Sequence, residues 1–600
     1  MINKKNQEAI AKVLKLYKSS YTSREAAITK AKECKRYINH NQFTEAEKKA
    51  AADNSKPLLR YNLLVGKLNT LIGNEQLSRR SAKFYAQGWS DEKIIELLNE
   101  NYESVIDKND LESILVSALA DALIYPTGGW IRRDLKLDDM GYLSFVYENI
   151  DTFDVHPDPE HKKSDLSDAN YIIFEEWLTK EAILSKFRPN KLEKDNTTWW
   201  ENVSNSLLTD SSERGDGEYK AGERYLVLYL EERVHEVLYV IMTDEGSKKL
   251  KEKEYSELEK SGVPFQFMRK VDSEKIHLTT IAPHFENIIL QDKDFPFHTD
   301  RFSVFPVYSF NWNMRKADQA SLIYLLLDIQ DSINKRMSQQ IDFVTQALGQ
   351  PWFVGKHDKS SAEQLRTSGN QPGKVIEINS TIKPPIKAPA PTVDPSILQT
   401  VMTDREFIDN ISSVTPAMEG KSERSGETGV LYNSKVGQGK ISTNPYHEAL
   451  AKVRQLLAQD FIELVPYVYF EDDRVMEVKK SDIKKSPRSG LNFEMINVNY
   501  DGNIQNDIRN VSGRAILDEG DNTPNQLENE FNQNMAFANI LISSGASFTD
   551  IPWDLLVKHS TIKDKDKWQQ FFAQRLQIQE QQIANQRANE DLAAITAASK

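Results

Sequence analysis

Two short patterns in the second half of the chain have residue types that could do chemistry. The first is residues 437–442, Gly-Gln-Gly-Lys-Ile-Ser, where a glycine precedes a lysine as in a phosphate-binding loop. Such a loop requires a glycine at 434 and a serine or threonine at 441, because its backbone amides hold the phosphates and its hydroxyl binds Mg²⁺. This chain has Ser434 and Ile441 at those positions. The pattern therefore argues against a nucleotide site.

The second pattern is His447-Glu448, which begins the sequence of a zinc-protease helix. The second histidine would stand at 451, where the chain has Ala451. Adjacent acidic residues could bind divalent metals for nuclease chemistry, and the pairs of this kind considered are Asp138-Asp139, Glu231-Glu232 and Asp472-Asp473. Neighbours in a strand point to opposite faces, and acidic residues are favoured in turns, so structural roles explain such pairs. We therefore expect no catalytic residues, no metal, no cofactor and no enzyme activity.

Charge and cysteine content restrict the remaining classes of protein. The 600 residues carry 76 basic and 89 acidic side chains, which gives a net charge of −13. A protein that coats duplex DNA needs a basic face, so this balance disfavours that class. Cys34 is the only cysteine, which excludes an internal disulfide and favours a reducing compartment. Because no apolar run approaches the ~20 residues that span a bilayer, we expect no membrane contact.

The elements that would position chemical groups begin with helices. Periodic apolar residues predict an all-helical lead-in over the first ~125 residues, with breaks before Pro57 and Pro126. Residues 130–137 and 142–155 are strand-like on either side of a short turn, which predicts a hairpin. Residues 225–242 form a third extended segment. The first half of the chain is therefore predicted to mix helices and strands.

The strongest helical pattern is at 317–348. Apolar residues recur there every three or four positions, at Leu322, Leu326, Ile329, Ile333, Met337, Ile341, Val344 and Leu348. At about 1.5 Å per residue such a helix reaches about 48 Å, which is longer than most compact domains need. On periodicity alone, a core helix with one solvated face is the ordinary interpretation.

The rest of the chain alternates stiff, helical and glycine-rich parts. In order they are a proline-rich extended segment at 382–391, a helix at 395–413, a loop of small, polar and glycine residues at 414–429, a long helix at 430–468 kinked near Pro445, strands at 466–500, and helix beyond. The last helix begins near Trp568, is rich in glutamine and has one narrow apolar stripe, so it needs a neighbour to pack on.

This succession, together with four separate segments, resembles a known family. The segments are Lys56-Pro-Leu-Leu-Arg-Tyr-Asn62 with a helix to Gly73-Asn74; Ile150-Asp-Thr-Phe-Asp-Val-His-Pro-Asp-Pro159 with Ser167-Asp-Ala-Asn-Tyr171; Phe305-Pro-Val-Tyr308 before the helix with Gln330, Asn334 and Ser338; and Glu419-Gly420 with Arg424-Ser-Gly426. Their order over roughly residues 55–470 resembles the portal (head-to-tail connector) proteins of tailed bacteriophages, especially the short-tailed and crAss-like type.

The resemblance implies an α+β, mainly α, portal fold that assembles as a ring, commonly a dodecamer, around a central channel. Carried onto this chain, the parts are the wing at 1–316, stem helix 1 at 317–348, the clip at 349–394, stem helix 2 at 395–413, the tunnel loop at 414–429, the kinked wing helix and wing strands at 430–510, and the crown with the glutamine-rich helix at 511–600. Some members of the family extend the crown into a long helical barrel; with the sequence stopping at Lys600 we do not expect a full barrel, and only the glutamine-rich helix could begin one.

The resemblance also implies a function and partners. The ring would occupy the unique vertex of the capsid, where the terminase large subunit packages double-stranded DNA through it and the genome is later ejected. Further implied partners are the head-tail adaptor and tail proteins, the major capsid protein and the scaffold protein. The implied location is the virion, with assembly in the host cytoplasm.

The candidate channel-facing residues are basic ones in or near the proposed tunnel loop: Lys421, Arg424, Lys435 and Lys440. DNA must slide through a channel, and each neutralised phosphate strengthens binding, so an acidic wall with a few transient cations suits passage. The alternative for all four residues is an ordinary solvated charge or a surface ion pair.

Two other classes of protein compete with a portal. One is another virion structural protein, either a scaffold, which is usually more uniformly helical, or a head-tail adaptor, which tends to be much shorter. The other is a DNA-processing enzyme such as a nuclease or a packaging ATPase. The incomplete phosphate loop argues against the ATPase.

Overall fold

The chain divides into two compact units, residues 1–72 with 84–515, and residues 73–83 with 516–600. The computed structural model describes residues 4–77, 81–87, 92–138, 140–187, 220–221, 223–243, 246–261, 266–284, 289–297, 299–309, 320–348, 352–368, 384–389, 396–421, 429–479, 491–500, 503–509, 511–517 and 524–543, with single residues at 553, 556, 557, 568, 571, 572, 574 and 575. Helices and strands both contribute, so the coarse prediction of a mixed α and β fold is confirmed.

Five helices and one strand form the N-terminal part. They are α1 (Lys4–Ile38), α2 (Glu45–Asp53), α3 (Leu64–Leu77), β1 (Ala82–Ala86), α4 (Glu92–Lys108) and α5 (Leu111–Ile124). The prediction of an all-helical lead-in is wrong at β1. This strand pairs with β18 (Gly513–Leu517), from the far end of the chain, and Phe84 is buried at its centre. Pairing over that sequence distance leaves no local periodicity from which it could be predicted.

The predicted hairpin is confirmed. Strands β2 (Gly129–Leu137) and β3 (Leu143–Ile150) pair antiparallel, and β11 (Val304–Val307) pairs with the other edge of β2. The Asp138 carboxylate accepts hydrogen bonds from two backbone amides of the turn, both at 2.9 Å. Gly141 has a φ of +85°, which an L side chain rarely adopts, so its position in the turn follows from backbone geometry.

A seven-stranded sheet fills most of the region between residues 155 and 294. Its strands are β4 (Val155–Pro157), β5 (Tyr171–Thr179), β6 (Lys220–Ala221), β7 (Arg224–Thr243), β8 (Gly246–Lys251), β9 (Gln266–Ile281) and β10 (Ile289–Asp294), and the order is β10-β9-β7-β5-β4, with β6 and β8 also paired to β7. Two short helices, α6 (Lys180–Lys186) and α7 (Glu252–Ser261), lie between strands in the sequence. The predicted extended segment at 225–242 is confirmed as β7.

Both faces of this sheet are buried at β7. Tyr225, Val227 and Tyr229 belong to one apolar cluster, whereas Leu226, Leu228 and Leu230 belong to another, which includes Val13 and Tyr17 of α1. Because successive side chains of a strand point to opposite faces, this unbroken apolar run fits a strand covered on both sides. Helix α1 therefore forms one cover of the sheet.

The second half of the chain contains the long helices. In order it comprises α8 (Leu322–Leu348), β12 (Trp352–Phe353), α9 (Lys359–Ser368), β13 (Ile386–Lys387), α10 (Ser396–Ser412) and α11 (Gly429–Val468). Helices at 317–348, 395–413 and 430–468 were predicted, and α8, α10 and α11 confirm them, although residues 317–319 and 395 lie outside the described residues. Helix α11 continues to Val468, so the prediction of strand from 466 is wrong there.

Buried charged side chains connect helix α11 to the three-stranded sheet of β11, β2 and β3. Arg133 Nε of β2 lies 2.9 Å from Asp460 Oδ2, and these side chains are 2% and 0% exposed. Burial raises the pKa of Asp460 to about 6, and the Arg133 guanidinium opposes that rise. Arg454 of the same helix binds Glu112 of α5 at 2.8 Å. The distal half of α11 is therefore part of the core.

The C-terminal part contains further strands before its helix. It comprises β14 (Arg474–Lys479), β15 (Leu491–Ile496), β16 (Val498–Tyr500), β17 (Asn503–Gln505), β18 and α12 (Pro524–Ser543). The prediction of helix throughout the region beyond 500 is wrong at β17 and β18. In the second unit, Ala538 and Leu556 are buried beside Trp553, and Trp553 stacks on Phe572 at 4.7 Å. Most of the glutamine-rich helix lies outside the described residues.

Helix α8 departs from the predicted apolar stripe in its second half. Leu322, Leu326 and Ile333 are fully buried as expected, but Ile341 and Val344 are 40% and 46% exposed. The buried positions are taken instead by polar side chains, Gln330, Asn334 and Ser338, none more than 7% exposed. We call these three residues the polar ladder.

The polar ladder binds the backbone of the segment that precedes α3. Its three contacts run from Leu59 N to Ser338 Oγ at 2.9 Å, from Tyr61 N to Asn334 Oδ1 at 2.9 Å, and from Leu63 N to Gln330 Oε1 at 3.1 Å. Four residues of an α-helix advance about 6.0 Å, and two residues of extended chain advance about 6.6 Å. The two spacings match closely enough for each side chain to reach every second amide. The ladder thus fixes α8 in register with the start of α3.

Replacing Asn334 with leucine tests the ladder. Asn334→Leu keeps the approximate side-chain size but leaves the Tyr61 amide and the buried Gln42 side chain without this partner. We expect the free energy of unfolding to fall by about 1–3 kcal/mol, the cost of unpaired buried polar groups. Urea unfolding followed by circular dichroism measures it. Thr345→Ala on the exposed end of α8 is the control, with an expected change within about 0.5 kcal/mol; equal effects of the two variants would contradict the ladder's role.

Candidate functional site

The segment after α10 begins with an ordered turn rather than with irregular chain. Helix α10 ends at Ser412, and Ser413 adopts a φ of +58°. Overlapping turns follow, in which Met418, Glu419 and Gly420 donate their amides to the carbonyls three residues earlier at 3.0–3.1 Å. We call residues 413–421 the loop base. The first half of the predicted tunnel loop is therefore stabilised by hydrogen bonds within its own backbone.

Lys67 of α3 anchors the loop base. Its ammonium lies 2.6 Å from Asp409 Oδ1, 2.6 Å from Glu419 Oε1 and 3.0 Å from the carbonyl oxygen of Val414. An ammonium has three donors, and all three are used here. The Lys67 side chain is 6% exposed, so water competes little for these bonds. One buried cation therefore joins α3, the end of α10 and the loop base.

Glu419 binds two lysines with its two oxygens. Oε1 accepts from Lys67, and Oε2 lies 2.6 Å from Lys421 Nζ. Burial disfavours the ionised carboxylate, but the hydrogen bonds from Lys421 and Lys67 outweigh it and hold the pKa of Glu419 below its ordinary value. Glu419 therefore carries a negative charge at neutral pH.

The first turns of α11 pack on the other side of the loop base. Tyr432 donates its hydroxyl to the carbonyl of Ala417 at 2.8 Å. At Gly439 an added Cβ would overlap Sδ and Cγ of Met418, so the glycine is needed for close packing. The glycines of residues 437–442 thus lie inside a helix, and that segment has no phosphate-loop geometry.

An open pocket lies beside the anchor. It has a volume of about 510 Å³ and lies between α3, α10 and the loop base. Gly66 and Thr70 line it from α3, Arg405 from α10 and Lys421 from the loop base. The Lys421 side chain is 70% exposed although its ammonium is paired. The loop base is therefore packed on one side and open on the other.

The four predicted basic residues occupy three different situations. Lys421 is exposed and paired with Glu419. Lys435 and Lys440 are half-buried on the first turns of α11, the part of that helix that packs on the loop base. Arg424 lies outside the described residues. The assignment of these four side chains to a DNA channel stays a prediction.

At least one member of each acidic pair noted in the sequence has a structural partner, as described above for Asp138, whereas Asp139 lies outside the described residues. Glu231 is buried and accepts the Ser303 amide at 2.7 Å, whereas Glu232 points to the other face and binds Lys12 at 2.6 Å. Asp472 binds Arg509 at 2.8 Å. Among the described residues, no three His, Cys, Asp or Glu side chains are grouped so that they could hold a metal ion. No described helix is both long enough and apolar enough to cross a bilayer.

Sequence reasoning missed Lys67 and Asp409. Glu419 was noted as part of the family resemblance, but neither Lys67 nor Asp409 stands in a recognisable motif. A lysine in an apolar helix such as Leu-Val-Gly-Lys-Leu is the one local signal, because a buried lysine needs a carboxylate partner. Which carboxylate it meets depends on tertiary packing.

Helices α8 and α10 pack against each other, a short strand-containing insert joins them, and the anchored turn of the loop base follows. Comparison with protein families identifies the chain: the family model described as Phage P22-like portal protein matches residues 14–600. The chain belongs to this family of phage portal proteins. No curated protein matches the chain.

Family membership establishes the coarse role. Portal proteins are structural components of the virion capsid of bacteriophages and serve in genome packaging. The family implies an oligomeric ring associated with the capsid. Because the chain belongs to the portal family, it is a portal protein rather than a scaffold or a head-tail adaptor.

Removing the Lys67 ammonium tests the anchor. Lys67→Met leaves Asp409 and Glu419 facing each other without the shared cation. We expect a loss of about 1–3 kcal/mol in the free energy of unfolding, less than for a fully buried pair because Asp409 is 29% exposed. The control is Lys452→Met, which breaks an exposed pair with Glu448 and should cost about 0.5 kcal/mol or less. Urea unfolding measures both variants. If Lys67→Met lowers the free energy of unfolding no more than the control does, the anchor is unimportant for stability.

Proposed function

We propose that the chain forms a ring around a channel at the unique capsid vertex, through which the terminase large subunit packages double-stranded DNA and through which the genome is later ejected. The observation that carries the proposal is the succession of α8, a short strand-containing insert, α10, the anchored loop base and α11 in a member of the portal family. The short-tailed or crAss-like subtype belongs to the same proposal.

The parts of the ring are assigned along the chain. Residues 1–316 are most of the wing, 317–348 stem helix 1, 349–394 the clip, 395–413 stem helix 2, 414–429 the tunnel loop, 430–510 the kinked wing helix with the wing strands, and 511–600 the crown. Helices α8 and α10 pack against each other, as two stem helices should. The polar ladder then joins the stem to the N-terminal helices of the wing.

Ring assembly is supported by the exposed surface of α10. The buried side of α10 consists of Val401, Asp404, Ile408 and Ser412. Exposed apolar residues lie on both flanks of this buried line: Leu398 and Met402 on one flank, and Phe407 and Ile411 on the other. At about 100° per residue the two flanks point in different directions. Two different apolar patches on one subunit suit a heterologous contact, in which one flank meets the other flank of a neighbour and repetition closes a ring. We propose a dodecamer.

The clip is the proposed contact for the terminase and later for the head-tail adaptor and tail. Among the described residues of the clip, β12 and β13 form a two-stranded sheet, in which Phe353 and Ile386 are paired in register and are each 63% exposed. An isolated two-stranded sheet is marginally stable in water. Neighbouring clips and these partners would cover its apolar surface. Contacts of the wing with the major capsid and scaffold proteins complete the proposed assembly, which forms in the host cytoplasm.

The charges suit a channel that passes DNA without holding it. The net charge is −13, and Lys421 is neutralised by Glu419. Each phosphate that a protein neutralises releases counterions and strengthens binding, so a wall of free cations would slow sliding. Lys421, Arg424, Lys435 and Lys440 are proposed as weak, transient contacts.

A charge placed in the proposed subunit interface should prevent ring assembly. Met402 is 66% exposed, so Met402→Lys should fold normally yet bring a cation into an apolar contact between subunits. Negative-stain images should show rings with a central hole for the natural protein and none for the variant. Gln399→Lys adds the same charge on the face of α10 opposite its buried line and should form rings. Natural protein that stays monomeric in all assembly conditions, or rings from Met402→Lys, would refute this interface.

Shortening the loop should separate assembly from DNA retention. Replacing residues 422–428 with a three-residue glycine-serine linker leaves the loop base and its anchor unchanged. We expect normal rings and filled capsids that retain less DNA, because the outer part of the proposed tunnel loop is removed together with Arg424, one of the four proposed DNA contacts. DNA retained per capsid is measured after nuclease treatment, with Gln399→Lys, which should form rings, as the assembled control. Normal retention by the shortened protein would remove the loop from the proposed mechanism.

A further inference from the structure

The ammonium of Lys421 has a partner that a DNA phosphate would have to displace. Glu419 Oε2 lies 2.6 Å from Lys421 Nζ, while its Oε1 lies 2.6 Å from the buried Lys67. With Asp409 also on Lys67, the cluster comprises two cations and two anions. Its net charge is therefore zero, although Lys421 itself is 70% exposed.

The geometry of Glu419 is set by its buried side. The carboxylate is 14% exposed and cannot follow Lys421 into solvent without leaving Lys67. Lys67 in turn holds Asp409 and the Val414 carbonyl. Lys421 can leave Glu419 at small cost because its flexible stem is exposed. If Glu419 left Lys67, the buried ammonium would lose one of its two carboxylate partners, which costs more. The exchangeable member of the cluster is thus Lys421.

We propose that Glu419 is a positioning residue that masks Lys421 from a phosphate backbone, with Lys67 as its fixed anchor. This proposal rests on the proposed function, because that function identifies the phosphate as part of the DNA in the channel. A phosphate that captures Lys421 competes with a carboxylate already in place, so each capture is weak and reverses readily. When Lys421 departs, Glu419 stays on Lys67 and the loop base keeps its shape. The cluster therefore permits brief contacts and restores itself after each one.

Substituting Glu419 removes the competitor. Glu419→Gln keeps a carbonyl that can accept from Lys67 but loses the charge that holds Lys421. In assembled rings, binding of a short DNA duplex should become about two- to fivefold tighter for each Lys421 that engages, the strength of an exposed ion pair. The slope of log K against log salt should steepen by about 0.9 for each added phosphate contact.

Three matched variants make the result specific. Glu419→Gln with Lys421→Gln should return to the shallow salt dependence, because the freed cation is gone. Glu45→Gln removes a carboxylate from an equally short, exposed lysine pair on α2 and should leave DNA binding unchanged. An unchanged salt slope in Glu419→Gln rings, or an equal steepening in Glu45→Gln, overturns the masking role.

A second measurement does not depend on DNA or on rings. Hydrogen exchange of the amides of Met418, Glu419, Gly420 and Lys421 reports the turns of the loop base. Lys421→Gln should leave their protection unchanged, whereas Glu419→Gln should speed their exchange severalfold because the bond to Lys67 weakens. Equal protection in both variants overturns the anchoring. If rings of the natural protein show no interaction with DNA, the proposed function fails. The hydrogen-exchange result still decides whether Glu419 is anchored through Lys67.

Discussion

The constraint on which the proposed channel region depends is the pairing of backbone amides by the polar ladder. Residues 57–63 are neither helix nor strand, so their amides need partners from outside the segment. Gln330, Asn334 and Ser338 supply them from α8. Leu63 is the last of the bonded residues, and Lys67 follows one helical turn later. The register of the ladder therefore sets where the Lys67 ammonium stands, and through Glu419 where the loop base stands.

Two local groups of charged side chains connect separate elements of this protein. The pair of Arg133 and Asp460 connects α11 to strand β2. Lys67 connects α3 to the end of α10 through Asp409 and to the loop base through Glu419. Buried pairs of this kind contribute little net stability, since desolvation offsets attraction, but removing one member is costly. They specify which elements meet. The overall charge of −13 consequently describes the surface as a whole and says little about the surroundings of any one lysine.

The long helices, the hairpin and β7 could be predicted because their signals are local: apolar spacing, turn residues and uninterrupted apolar runs. Strand β1 could not, since its partner comes from the far end of the chain. For α8 the periodicity correctly predicted the helix and its buried face as far as Ile333, but not the exposure of Ile341 and Val344 or the burial of the polar ladder, whose side chains bind backbone amides. Lys421 could be named from its position in the glycine-rich loop, but the anchoring of its partner Glu419 depends on Lys67, a buried lysine that no motif marks.

The ladder has a consequence for how this part of the chain can change over generations. It recognises main-chain amides, so the side chains at positions 59, 61 and 63 are not what it selects. As far as the ladder is concerned, those three half-buried positions exclude only proline, which has no amide hydrogen to donate. Pro57 stands just before the first of them. Substitutions should therefore accumulate on the segment and be rare at Gln330, Asn334 and Ser338, an asymmetry that an alignment of related portals would reveal.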